Sequence, residues 1–189
     1  LMENFFIRIL RGSGLNGMVS FDQRTNLQNI NLIRPLLKFS KKNLEYITKK
    51  VFKNYVEDPS NKNDEFKRVK IRNFIKNLEL EGLDNDKFNL TIKNLKFANE
   101  SIKYFVEKNL KDNSTNSNIN KFVILNKNFF LQPEEVVFRS LTEVLKGVGK
   151  KYYPVRGKKI DKLIYQIKNY NSFITTLGNC IIKKVNNTV

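Results

Sequence analysis

Four groups of side chains in this 189-residue chain have the types and spacing to do chemistry. Arg11 and Arg34 each present a guanidinium fork that matches two phosphate oxygens at once; either would equally cap carbonyls at the end of an element. Asp58 and Asn61 bracket the run Asp58-Pro59-Ser60-Asn61. A carboxylate there can orient an attacking amine, and the same four residues make an Asx turn that ends one helix and caps the next. Arg68, Lys70 and Arg72 follow on a helical stretch, where they meet phosphate, pair with Asp58 or form a solvated face. Lys150, Lys151, Arg156, Lys158 and Lys159 flank Tyr152 and Tyr153. Cations interleaved with aromatic rings suit an RNA backbone with some base stacking; the competing arrangement is a basic loop whose rings pack inward.

Composition narrows the field. The chain has no His, so Ser-His-Asp and Cys-His sites and His-ligated metals are excluded. Its single cysteine, Cys180, can make neither an intrachain disulfide nor a Cys₄ zinc site, and reads as a small buried hydrophobe in a strand. We therefore expect no metal held by protein ligands alone. No apolar run approaches the roughly 20 residues of a spanning helix, and Leu1-Met2-Glu3-Asn4 lacks the basic opening of a signal peptide. The expectation is a reduced, soluble, cytoplasmic protein with no membrane partner. Lys plus Arg is 35 against 18 Asp plus Glu, a net charge of +17 that calls for a polyanionic partner. AT-rich coding competes as an explanation, because Lys and Asn each occur 27 times. Distribution is more informative: residues 34–72 and 139–168 each carry a net +7, with a neutral stretch between them.

The elements that must position these groups follow from periodicity. Glu3 to Leu10 reads as a helix with Phe6 and Leu10 on one face, stopped by Gly12 and Gly14. Residues 15–33 read as a loop leading into the apolar stretch Ile30 to Ile33, and Pro35 biases Arg34 to extended backbone. Ser40 looks like an N-cap to an amphipathic helix over 41–56, with Leu44, Ile47, Val51 and Tyr55 at helical spacing. A second helix spans 64–80, and a long one 86–111. The polar run Asp112 to Asn120 reads as a linker or domain-edge loop. Phe122–Leu125 and Phe129–Leu131 read as short strands, Pro133 as the first residue of a helix reaching about Gly147, then a helix over 158–170 with Ile160, Leu163, Ile164 and Ile167 inward. Strands at Phe173–Thr176 and Cys180–Val185 flank Leu177-Gly178-Asn179. Phe66, Phe105 and Phe138 are assigned to the core. The first segment has no cap before it, which reads as a truncated protein.

Four patches, in this order and spacing, resemble tRNA(Ile)-lysidine synthases of the PP-loop (N-type ATP pyrophosphatase) superfamily. They are Glu3-Asn4 followed by Arg11-Gly12-Ser13-Gly14-Leu15-Asn16-Gly17; Ile33-Arg34-Pro35-Leu36-Leu37; Asp58-Pro59-Ser60-Asn61 with Phe66, Arg68, Ile71 and Arg72; and Thr176-Leu177-Gly178-Asn179-Cys180. The chain departs from the family at Asn179, where Gly is usual, and at Val69, often Asn. The family's S-G-G-x-D-S phosphate loop is not in the sequence, and Arg11–Gly14 does not replace it, because it reads as ending a helix rather than opening one.

The resemblance implies an α/β, mostly helical fold. Residues 1–84 would be the C-terminal part of a Rossmann-like catalytic domain, 85–120 a linking helix and loop, and 121–189 a helical tRNA-binding domain with a small sheet. It implies a ligase that forms a C–N bond between lysine and C2 of the wobble cytidine of CAU-anticodon tRNA(Ile). The intermediate is an adenylated base, and the product changes codon and amino-acid identity. ATP and Mg²⁺ are the implied cofactors; tRNA(Ile), lysine and ATP the substrates, with a homodimer left open. Glu3, Asp58 and Asn61 would be catalytic, Arg11 and Arg34 would bind ATP phosphate, and Arg68, Lys70, Arg72, Lys150, Lys151, Arg156, Lys158 and Lys159 would bind tRNA. Without the phosphate loop the 189 residues are expected to be inactive alone. The alternative is a non-catalytic basic RNA-binding module.

Overall fold

Three helices end in the same way, and their ends set the frame. After the first helix the Ser13 amide donates to Arg8 O (3.0 Å), with Gly12 at φ 66°. After the fourth, Leu83 N donates to Leu78 O (2.9 Å), with Gly82 at φ 96°. After the sixth, Lys151 N donates to Lys146 O (3.2 Å), and here the left-handed residue is Lys150, at φ 48°. This closure satisfies carbonyls that the last turn leaves unpaired. The computed structural model describes residues 1–19, 23–27, 30–53, 56, 58–59, 65–117 and 122–189.

The described elements are α1 (Met2–Ile9), α2 (Leu15–Val19), β1 (Arg24–Leu27), β2 (Ile30–Ile33), a 3₁₀ turn (Pro35–Lys38), α3 (Lys41–Phe52), α4 (Lys67–Leu80), α5 (Asn85–Asn113), β3 (Ser114–Ser117), β4 (Phe122–Leu125), a 3₁₀ turn (Lys127–Leu131), α6 (Glu134–Val148), α7 (Gly157–Asn169), β5 (Ser172–Leu177) and β6 (Cys180–Val185). They form a mostly helical α/β protein whose strands pair as antiparallel two-stranded ribbons, β1 with β2, β3 with β4, β5 with β6. The chain divides into two compact units, Leu1–Asn99 and Glu100–Val189, the division falling within α5.

In the first unit, Met2 and Ile7 of α1 meet Ile71 and Ile75 of α4 and Phe88 and Ile92 of α5. Phe5 packs edge-to-face on Phe88 (5.3 Å) and Phe6 on Phe74 (5.6 Å), a favoured ring geometry. α5 opens on an Asp84 cap, whose Oδ1 accepts the Lys87 amide at 2.7 Å.

In the second unit, Leu125, Phe129, Leu141, Leu145, Ile160, Leu163, Ile167, Cys180 and Ile182 form one buried cluster. Its buried polar groups are paired: Asn109 Nδ2 donates to Phe129 O (3.3 Å) and to Ser140 Oγ (3.1 Å). The Gly178-Asn179 turn joins β5 to β6 with both residues at positive φ, 64° and 65°, as a two-residue hairpin requires. Asn tolerates this conformation where Gly is usual.

Several expectations are corrected. Residues 15–33 are not one loop: α2 and the β1–β2 ribbon lie within them. The Gly14 carbonyl accepts the Met18 amide at 3.1 Å, so Arg11–Gly14 both ends α1 and opens the five-residue α2. Part of the polar run at 112–120 continues α5, and part is β3, because backbone pairing with β4 needs no apolar side chain. Phe129–Leu131 lies in a 3₁₀ turn rather than a strand, capped by Asn126 Oδ1 accepting the Phe129 amide (3.1 Å). Pro133 is the N-cap of α6, one residue ahead of its expected place. Phe66 and Phe105 are exposed rather than core, whereas Phe138 packs on the second cluster. Tyr55 lies outside the described residues.

Candidate functional site

In the first unit, packing of α1 on α4 brings Glu3 to Arg72. The Arg72 Nε donates to Glu3 Oε1 at 2.7 Å, across 69 residues of chain, with both side chains half-buried. Glu3 lies in the first turn of α1, where a negative charge complements the helix dipole. On α4, Val69, Ile71 and Ile75 are buried while Arg68 and Lys70 are exposed, so helical phase turns Arg72 toward α1 and its two basic neighbours to solvent. Glu3, Arg72 and Asp58 line one broad hollow of about 1960 Å³, whose walls also carry Arg24, Lys76, Lys93 and Lys96. The exposed Asp58 thus shares a cavity with Glu3; Asn61 lies outside the described residues.

A second grouping forms around Arg8, which sequence reasoning did not select. The Arg8 Nη1 donates to Gly17 O, binding α1 to α2. Burial lowers the pKa of its guanidinium, and the neighbouring Arg34 and Arg11 charges lower it further. It remains protonated near neutrality, as Arg does in proteins. Arg34 is fixed by its amide donating to Gln23 O (2.7 Å) and its Nη1 donating to Thr25 Oγ1 (2.9 Å), so the β1–β2 ribbon carries it. Arg8, with the Arg34 and Arg11 charges acting on it, forms a candidate site for phosphate oxygens. The signal in the sequence was the Arg8–Arg11 spacing, one helical turn apart; the approach of Arg34 depends on the unforeseen ribbon.

These residues fit the phosphates of a nucleotide. A resident metal fits less well: among the described residues no three acidic, thiol or imidazole groups come together, and Glu3 Oε1 already accepts from Arg72. No step is therefore assigned to Mg²⁺.

In the second unit, Lys150, Lys151 and Arg156 lie on the segment between α6 and α7, and Lys158 and Lys159 in the first turn of α7; all five are exposed. Tyr152 and Tyr153 are 59% and 75% exposed, with ring centroids 4.7 Å apart and planes near perpendicular. The rings face solvent, not the core. Cys180, by contrast, is buried in β6, and burial raises its thiol pKa, which suits packing rather than nucleophilic attack. No helix among the described residues is long and apolar enough to cross a membrane.

Residues 1–79 match the PP-loop domain family. Over nearly its full length the chain is further similar to tRNA(Ile)-lysidine synthases. It is 27% identical to that of Wolbachia pipientis wMel across 96% of this chain and 42% of the relative. It is 27% identical to that of Orientia tsutsugamushi (strain Boryong) across 97% and 43%. A shorter match, 40% identical over 73 residues, is to the tRNA(Ile)-lysidine synthase of Haemophilus influenzae (strain PittGG), covering 39% of this chain and 17% of the relative. The chain spans about two fifths of the length of the relatives it matches from end to end.

Proposed function

We propose that this chain serves ATP-dependent lysidine formation on tRNA. The observation that carries the reading is its end-to-end similarity to tRNA(Ile)-lysidine synthases. The geometry supports it with a cation triad suited to phosphate and a carboxylate held by Arg72. In this reading residues 1–84 belong to the catalytic domain, 85–120 link, and 121–189 bind tRNA. ATP adenylates O2 of the wobble cytidine and releases pyrophosphate; the lysine ε-amine then attacks C2, loses a proton, and AMP leaves with the oxygen. Arg8, Arg11 and Arg34 hold phosphate, and Glu3 and Asp58 face the reacting groups. Arg68, Lys70 and the basic tract of the second unit contact tRNA. Because the S-G-G-x-D-S loop is not in the sequence, the 189 residues do not complete the reaction by themselves.

The test is binding of the chain to CAU-anticodon isoleucine tRNA and to initiator methionine tRNA over a salt series. Preference for the isoleucine tRNA is expected; equal affinities at every salt concentration would reduce the chain to a phosphate reader. Product from the chain with ATP, lysine and tRNA would overturn the inactivity. The exposed basic tract supports, as a second reading, a non-catalytic RNA-binding module, which a longer form that makes lysidine would exclude.

A further inference from the structure

We infer that the segment Lys150–Arg156 is a docking site for unpaired RNA, with Tyr152 and Tyr153 as a stacking platform rather than neutral spacers between phosphate contacts. This rests on the RNA-binding reading above and adds which form of RNA is taken.

The segment is pinned at both ends and open in the middle. A Cβ on Gly149 would lie 1.9 Å from Gly178 O and 2.8 Å from Leu145 O, so the end of α6 sits directly on the β5–β6 turn. Val155 packs on the second core, and its Cγ2 would lie 2.9 Å from a Cβ on Gly178. Gly157 lies close to Phe138, 3.5 Å from where its own Cβ would stand. Between these anchors Lys150, Lys151, Tyr152 and Tyr153 are all exposed. Lys150 holds the left-handed conformation that Gly takes at Gly12 and Gly82; a lysine there accepts strain and contributes an exposed cation.

Two exposed rings among three cations are poorly explained by folding. Phosphate neutralisation alone needs no aromatic group, and a duplex hides its base faces in the stack. Unpaired bases offer free π-faces, each stack being worth about 1–3 kcal/mol by alanine substitution. The chemistry recognised is therefore a single-stranded loop or end beside a phosphate backbone.

Anisotropy titration of the 189-residue chain would use a labelled single-stranded RNA 12-mer and the same sequence as a blunt duplex. The chain is expected to prefer the single strand. Y152A/Y153A should weaken single-strand binding by about tenfold or more, leaving the salt slope and the thermal unfolding midpoint unchanged. Y152F/Y153F should restore affinity. K150A/K151A should flatten the salt slope by about 1.4. Equal loss of duplex and single-strand affinity in Y152A/Y153A would overturn the inference, as would no loss at all while the chain still binds RNA; in both cases the RNA-binding reading survives. Failure of the chain to bind any RNA would remove both.

Discussion

α3 and α7 are amphipathic helices of nearly equal length, 12 and 13 residues, with opposite fates. α7 buries Ile160, Leu163 and Ile167 in the second core. α3 buries none of its residues, and Val51 on its apolar face is 64% exposed. A 3.6-residue apolar repeat therefore specifies that a helix forms, while the surface that covers it is a separate matter. What holds α3 is local: Ser40 Oγ accepts the Asn43 amide at 3.2 Å, and Lys41 pairs with Glu45 at 3.3 Å along one face. A helix of this length held only by local terms is marginal, so its amides should exchange faster than those of α7.

The contrast can be broken or sharpened by substitution. Phe129 is fully buried, and Phe129→Ala should destabilise the second unit by about 3–5 kcal/mol in urea unfolding; a loss under about 1 kcal/mol would mean that this core is not what holds the unit. Gly149→Ala drives a methyl into two backbone carbonyls. It should cost about 2 kcal/mol or more, read as a lower midpoint with faster exchange at the β5–β6 turn. Ser40→Ala removes the cap of α3 and should cost about 1 kcal/mol, seen as faster amide exchange confined to residues 41–52; unchanged exchange would point to support from outside the helix.

Acid supplies a milder probe at the other exposed cap. Asp84 has a lowered pKa, chiefly because its carboxylate accepts the Lys87 amide, with the Lys87 charge adding. The group binds its proton more weakly folded than unfolded. Its contribution is thus complete above the ordinary value of 3.8 and is lost as pH falls through the lowered one. Exchange at the start of α5 should quicken in that window, and Asp84→Asn should abolish the pH dependence. The smallest effect is expected from Val51→Ala, within about 0.5 kcal/mol; a larger loss would show that the apolar face of α3 is covered in solution.

Much of the site was legible as residue types but not as pairings. Glu3 and Arg72 were both singled out, one for catalysis and one for tRNA, yet only the packing of α1 on α4 joins them at 2.7 Å. Arg34 was singled out for its guanidinium fork, whereas Arg8 was overlooked because its link to Arg34 runs through a ribbon of sparse apolar content. Tyr152 and Tyr153 could have packed either way; the anchoring of Gly149 and Val155 decided for solvent.

By itself the sequence determined the local terms: the helices 41–52, 67–80, 85–113 and 157–169 to within a few residues, the Ser40 cap, the stop at Gly12, the turn at Gly178 and the two basic tracts. Each depends on backbone propensity or on partners within a few residues. Only the tertiary structure decided which apolar faces are covered, that Phe66 and Phe105 stay outside, and which charged groups meet. Those outcomes depend on contacts between residues far apart in the chain, and such contacts leave no periodicity to read.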